Sequence, residues 1–229
     1  RHSVSAADII AAKQEGRIAS IVGVEGGLGM QNDLEMLRKW HGMGARVLTL
    51  CHNETLDWVD SATDAPRHGG LSDFGRDVLR ELNRLGMIVD CSHVHPAATH
   101  QVLDVSTAPI ALTHSNAFAL CDHPRNAPDD ILARIPGNGG IVMATFVPSF
   151  LNQANWDWAR PLSNRYGSAS DEFTDESKLD AARRRQEHLR SRGPAPQATL
   201  DHLVEHIEYL RDRCGIDHRC GIGRLLTAG

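Results

Sequence analysis

Met87-Ile88-Val89-Asp90-Cys91-Ser92-His93 is a short apolar run that closes on an imidazole. The same arrangement recurs on either side of it. Ile21-Val22-Gly23-Val24 runs into Glu25, and Ile110-Ala111-Leu112-Thr113 runs into His114. Runs of this length, bounded by Gly and Pro, read as buried parallel strands. When successive parallel strands carry polar ligands at their carboxyl ends, those ligands can meet at one mouth of a barrel or open sheet. A carboxylate and two imidazoles form a donor set suited to zinc or a similar divalent metal.

Around these runs the chain alternates helix and strand. Ala6 to Gly16 reads as a helix and Ile18 to Val24 as a strand. Asn32 or Asp33 can cap a helix carrying Leu34, Met36, Leu37 and Trp40, with Val47 to Leu50 as the next strand. A polar loop from Asn53 to Gly70 follows. Ser72 then caps a helix with Phe74, Val78, Leu79, Leu82 and Leu85 on one stripe, stopped by Gly86. Helices at His95–Leu103, with Pro96 in its first turn, and Asp129–Ile135 alternate with strands at Pro109–Thr113 and Ile141–Val147. Residues 149–198 break the rhythm and read either as a lid over the site or as a solvated excursion. Thr199 opens a helix ending near Gly215, and Cys220 to Gly223 looks like the start of another strand.

This order predicts an α/β fold, a (β/α)8 TIM-type barrel that is incomplete, with the first strand region and the end of the last strand missing. An open doubly wound sheet is the structural alternative. The chain reads as one domain over 1–229. Gly23, Gly26, Gly27 and Gly29 do not have the spacing of a dinucleotide-binding turn, which argues against a nucleotide cofactor.

The 229 residues suffice for one domain with a real core. A formal net charge of -5 gives no reason to expect nucleic acid or an anionic membrane as partner, and no run is long enough to span a bilayer. Cys51, Cys91, Cys121, Cys214 and Cys220 form no CxxC pair, which favours a reducing compartment such as the cytoplasm.

Each candidate has a bland alternative. Glu25 can bind metal or pair with a rim arginine. His52 follows a strand and can ligate metal or donate to an oxyanion. Arg125 can grip a carboxylate or form a rim ion pair with Asp129 or Asp130. His95 and His100 are expected to face solvent or the loop. His202-Leu203-Val204-Glu205-His206 fits the inverted zincin pattern, although the segment also reads as an amphipathic helix burying Leu203, Val204, Ile207 and Leu210.

Several blocks in order resemble the membrane dipeptidase (renal dipeptidase) family of zinc peptidases. They are Val24-Glu25-Gly26-Gly27, Leu48-Thr49-Leu50-Cys51-His52-Asn53, Val89-Asp90-Cys91-Ser92-His93, Thr113-His114-Ser115-Asn116-Ala117 and Arg125-Asn126-Ala127-Pro128-Asp129-Asp130. Gly70-Leu71-Ser72-Asp73-Phe74-Gly75 and Leu82-Asn83-Arg84-Leu85-Gly86-Met87 fit as well. The resemblance implies a barrel that hydrolyses dipeptides with two zinc ions. It implies that Glu25 bridges the metals, that His93 and His114 hold the second, that His52 contacts substrate and intermediate, and that Arg125 binds the substrate carboxylate. A homodimer is also expected.

Two departures stand out. The His-x-Asp pair of the family's first zinc site is absent, since His2 is followed by Ser3-Val4. The Asp-Phe-Asp-Gly block is absent too; Gly221-Ile222-Gly223 continues as Arg224-Leu225, and Asp217 precedes the strand. The expectation is a fragment with one zinc site left and reduced or no dipeptidase activity. The alternative is a non-catalytic or poorly folded partial barrel.

Overall fold

A computed structural model describes residues 1–163 and 175–215. Its centre is a five-stranded parallel sheet in the order β1-β2-β3-β4-β5. The strands are β1 (Val22–Glu25), β2 (Ala45–Thr49), β3 (Ile88–Asp90), β4 (Ala111–Leu112) and β5 (Ile141–Val142). Each pairs with the next in sequence, with Glu25 opposite Thr49, Thr49 opposite Asp90, and Asp90 opposite Ala111. This sequential order never reverses. It has no switch point, so the winding is that of a TIM-type barrel and not of a doubly wound sheet. Among the described residues the barrel is partial and the sheet is not closed.

The connecting helices start and stop where their caps demand. Ser5 receives the Asp8 N–H at the start of α1 (Ala6–Gln14), and Asp33 receives the Glu35 N–H at the start of α2 (Leu34–Gly42). Ser72 caps α3 (Asp73–Leu85), which Gly86 ends in the left-handed conformation at φ 70°. Val78, Leu79 and Leu82 of α3 are buried beneath the sheet, with Phe74 and Leu85 packed at the margin. In α4 (Pro96–Val105), proline occupies the first turn and the His95 ring accepts the Ala97 N–H as cap. The expected single helix over 129–135 is instead α5 (Asp129–Leu132) and α6 (Ile135–Asn138), the second restarted by Pro136.

Two expected strands are shorter than their apolar runs. Ile18 to Ser20 does not join β1; Ile18 is exposed, and Ser20 bridges only to His2. Ile141–Val147 pairs with β4 only at Ile141 and Val142, and Phe146 is 68% exposed. Beyond Met143, whose N–H still donates to Leu112 of β4, the backbone is taken by the loop after β4, since the Thr145 N–H donates to the Asn116 side chain. Apolarity measured the run; the partner's length set the strand.

Residues past 147 contribute α7 (Pro148–Leu151), α8 (Gln153–Ser163), α9 (Asp175–Arg192) and α10 (Leu200–Cys214). Gln153 and Arg160 tie α8 to Asp122, beside Arg125. On α10 the buried side is Leu203, His206, Leu210 and Cys214, whereas Val204, expected in the core, is half exposed. The strand expected at Cys220–Gly223 and Asp217 lie outside the described residues. No helix among the described residues is long and apolar enough to cross a membrane.

Candidate metal centre

Glu25 is the last residue of β1, and the backbone turns sharply after it. Gly26 has φ 90°, and its N–H and that of Gly27 donate to the Thr49 and Leu50 carbonyls. Gly27 lets Trp58 pack against the turn: a Cβ there would lie 2.4 Å from the Trp58 ring. Trp58 is buried and forms part of the floor beneath the turn.

His93 follows β3 with φ 72°, a left-handed conformation that costs a non-glycine residue about 1 kcal/mol or more. The polar loop after β2 holds it there. The Ala62 N–H donates to the His93 carbonyl, and the single Ser61 hydroxyl proton is shared between the His52 carbonyl at 2.9 Å and the His93 carbonyl at 3.4 Å. Asp60 braces that loop by accepting the N–H groups of Arg67, His68 and Gly70. The loop thus clamps the ends of β2 and β3 together.

At the carboxyl ends of the strands the three predicted ligands meet. Glu25 Oε1 is 3.1 Å from His93 Nε2 and 3.2 Å from His114 Nε2. One donor atom from each residue falls within 4.8 Å of the others, the only such metal-competent group among the described residues. Tetrahedral ligands at zinc bond lengths stand about 3.4 Å apart, so the two nitrogen–oxygen distances fit neighbouring ligands of one ion. Burial first, then the nearby Arg125 charge, holds the His93 imidazole down to about 2. The same two causes lower His114. Both rings are therefore neutral at physiological pH, the state that can donate a lone pair.

His52 is exposed at the end of β2, its ring 4.3 Å from that of His93. It flanks a cleft of about 320 Å³ lined also by Glu25, Gly26, Leu28, Gly29 and Leu56. Arg125 lies under the site and is 7% exposed. Its guanidinium sits 5.4 Å from the Phe150 ring, and its Nε and Nη2 have no hydrogen-bond partner among the described residues. Burial lowers it to about 10, so it keeps its charge. The rim ion pairs weighed for it do not form: Asp129 takes Tyr209 and Arg213, and Asp130 takes His100. Leaving such donors unmet costs about 1–3 kcal/mol, which an anionic ligand would recover.

The inverted zincin reading fails on geometry. His206 Nδ1 accepts the Ala117 N–H, and its Nε2 bonds the Leu151 carbonyl, so no lone pair remains for a metal. His202 folds back to cap its own helix at Thr199.

Sequence reasoning missed Asp90 and Thr113. Asp90 is 1% exposed beneath the two histidines and is hydrogen-bonded to Thr113. The available signal was a carboxylate in the middle of an apolar strand. His123 was also passed over; it stacks between Phe150 and Trp156 and its Nδ1 accepts the Arg125 N–H.

The family model for membrane dipeptidase (peptidase family M19) matches residues 1–224. The dipeptidase tcpJ of Claviceps purpurea is 37% identical over 217 residues, which is 94% of this chain and 41% of that protein. An uncharacterized dipeptidase of Schizosaccharomyces pombe is 46% identical over 90% of this chain and 41% of its own length. The chain thus spans about two fifths of these curated relatives. Among solved structures, the probable dipeptidase PvdM from Pseudomonas aeruginosa superposes with a TM-score of 0.83 at 25% identity, covering all of this chain and 68% of that one. With that match over nearly its whole length, the chain belongs to the membrane dipeptidase family.

Proposed function

We propose that this chain carries the metal-binding and carboxylate-binding face of a zinc-dependent dipeptidase. The supporting observation is the gathering of Glu25, His93 and His114 within 4.8 Å, beside a buried Arg125 with unmet donors. Glu25 contributes a negative oxygen, and the two neutral imidazoles contribute nitrogen, the mixed set that zinc accepts. A divalent metal bound there supplies Lewis acidity and a hydroxide nucleophile near neutral pH. Arg125 receives the C-terminal carboxylate of the dipeptide through its planar fork. His52 stands at the cleft wall and donates to the oxyanion as the carbonyl becomes tetrahedral. The cleft beside His52 and Glu25 has room for a substrate side chain.

The sequence holds no His-x-Asp pair before Glu25 and no Asp-Phe-Asp-Gly block. The proposal for this chain is one zinc held by Glu25, His93 and His114, with reduced or no dipeptidase activity. Dialysed protein is expected to retain about one zinc by atomic emission. A dipeptide is expected to bind at least about tenfold more tightly than its C-terminal amide. No retained zinc, or equal binding of acid and amide, would sink the reading.

Free, buried Cys51, Cys91 and Cys121 support the cytoplasmic proposal, which cell fractionation tests. A homodimer is proposed as well, and sedimentation equilibrium decides it.

A further inference from the structure

Four donors converge on the buried carboxylate of Asp90. Its Oδ2 accepts the hydroxyls of Thr49 at 2.7 Å and Thr113 at 2.6 Å. Its Oδ1 accepts the backbone N–H groups of Ser92 at 3.0 Å and Thr113 at 3.0 Å. Thr113 Oγ1 also lies 2.8 Å from His114 Nδ1.

A threonine hydroxyl has one proton to give. Asp90 can only accept, and the short contact to Oδ2 claims that proton. The bond between Thr113 and His114 must then be donated by the imidazole, from Nδ1–H. A neutral imidazole has one N–H, so the lone pair falls on Nε2. Nε2 is the atom that stands 3.2 Å from Glu25 Oε1. His93 has no such line, since its Nδ1 is buried with no hydrogen-bond partner among the described residues.

We propose that Asp90 and Thr113 are positioning residues that hold His114 in the Nδ1-protonated tautomer and so present Nε2 as the donor to the metal. The proposal rests on the reading of His114 as a ligand. Partners one step behind a metal ligand typically change affinity about 10- to 100-fold when removed.

The test uses the metal-free full chain labelled with nitrogen-15, together with zinc titration by calorimetry. His114 in the wild type is expected to show a protonated Nδ1 and a pyridine-like Nε2. Thr113→Val matches the shape and removes the hydroxyl; it is expected to lose the single tautomer and bind zinc about 10- to 100-fold more weakly. Thr113→Ser keeps the hydroxyl and is expected to restore both. A wild-type His114 protonated on Nε2 overturns the proposal, as does Thr113→Val with unchanged tautomer and affinity. Should Thr113→Val fail to fold, the wild-type spectrum and the serine variant still decide. His114→Ala with full zinc affinity would instead overturn the ligand reading, while the nitrogen spectrum reports the tautomer independently.

Discussion

His93 Nε2 and Glu25 Oε1 lie 3.1 Å apart although 68 residues separate them along the chain. Parallel pairing of β1, β2 and β3 brings the strand ends level, and the left-handed turn at His93 aims the ring back across the mouth. The metal site is therefore a property of sheet register and one strained residue.

Removing either imidazole should leave too few ligands for tight binding. His93→Ala and His114→Ala are each expected to weaken zinc by at least about 100-fold, more than the loss of a supporting partner. Calorimetric titration checks this, and unchanged affinity in both variants would remove the ligand assignment.

Arg125→Lys keeps a charge and loses the fork. Lysine offers a point charge that cannot grip a carboxylate with two parallel bonds. Dipeptide binding is expected to fall about tenfold, while the C-terminal amide is bound as before. An equal loss for both ligands would mean that Arg125 serves the fold and not the carboxylate.

Gly27→Ala should destabilise the protein. The new Cβ would lie 2.4 Å from the Trp58 ring and 2.8 Å from the Leu50 carbonyl oxygen. Neither backbone nor a buried indole can retreat cheaply, and the cost is about 2 kcal/mol. A denaturant melt that matches wild type would show that Trp58 is not packed against this turn.

Stability should fall on mild acidification. His123 is 8% exposed and held down to about 3, first by burial and then by the Arg125 charge. His206 is lowered as well, chiefly by burial. Both stay neutral in the fold, whereas the unfolded chain protonates them below about 6.5. The unfolded state then binds more protons, so stability drops as pH falls from about 6.5 toward about 3, by up to about 1.4 kcal/mol per pH unit from His123, with His206 acting in the same direction. Thermal melts across that window are the measure. A flat melting temperature would show that these rings are protonated inside the fold.

Much of the fold was legible because its signals are local. Ser72 and Gly86 mark both ends of α3, and the stripe of Val78, Leu79 and Leu82 gives its buried face. The ends of the strands were not, since Met143 to Val147 is as apolar as a strand but has no full-length partner. His206 and Val204 exchanged their expected places because helical periodicity ranks a histidine as polar, and only packing against Ala117 and Leu151 gives its ring a use inside.

The sequence by itself determined the alternation of strand and helix and named Glu25, His93 and His114 as residues at strand ends, because strand length and chain punctuation are written in neighbouring residues. The tertiary structure decided what those residues touch. It set the 3.1 Å and 3.2 Å approaches to one carboxylate oxygen, left the Arg125 donors unmet, and placed Asp90 behind His114 through Thr113. Distances across a sheet depend on register and backbone angle summed over distant segments, and no local pattern carries that sum.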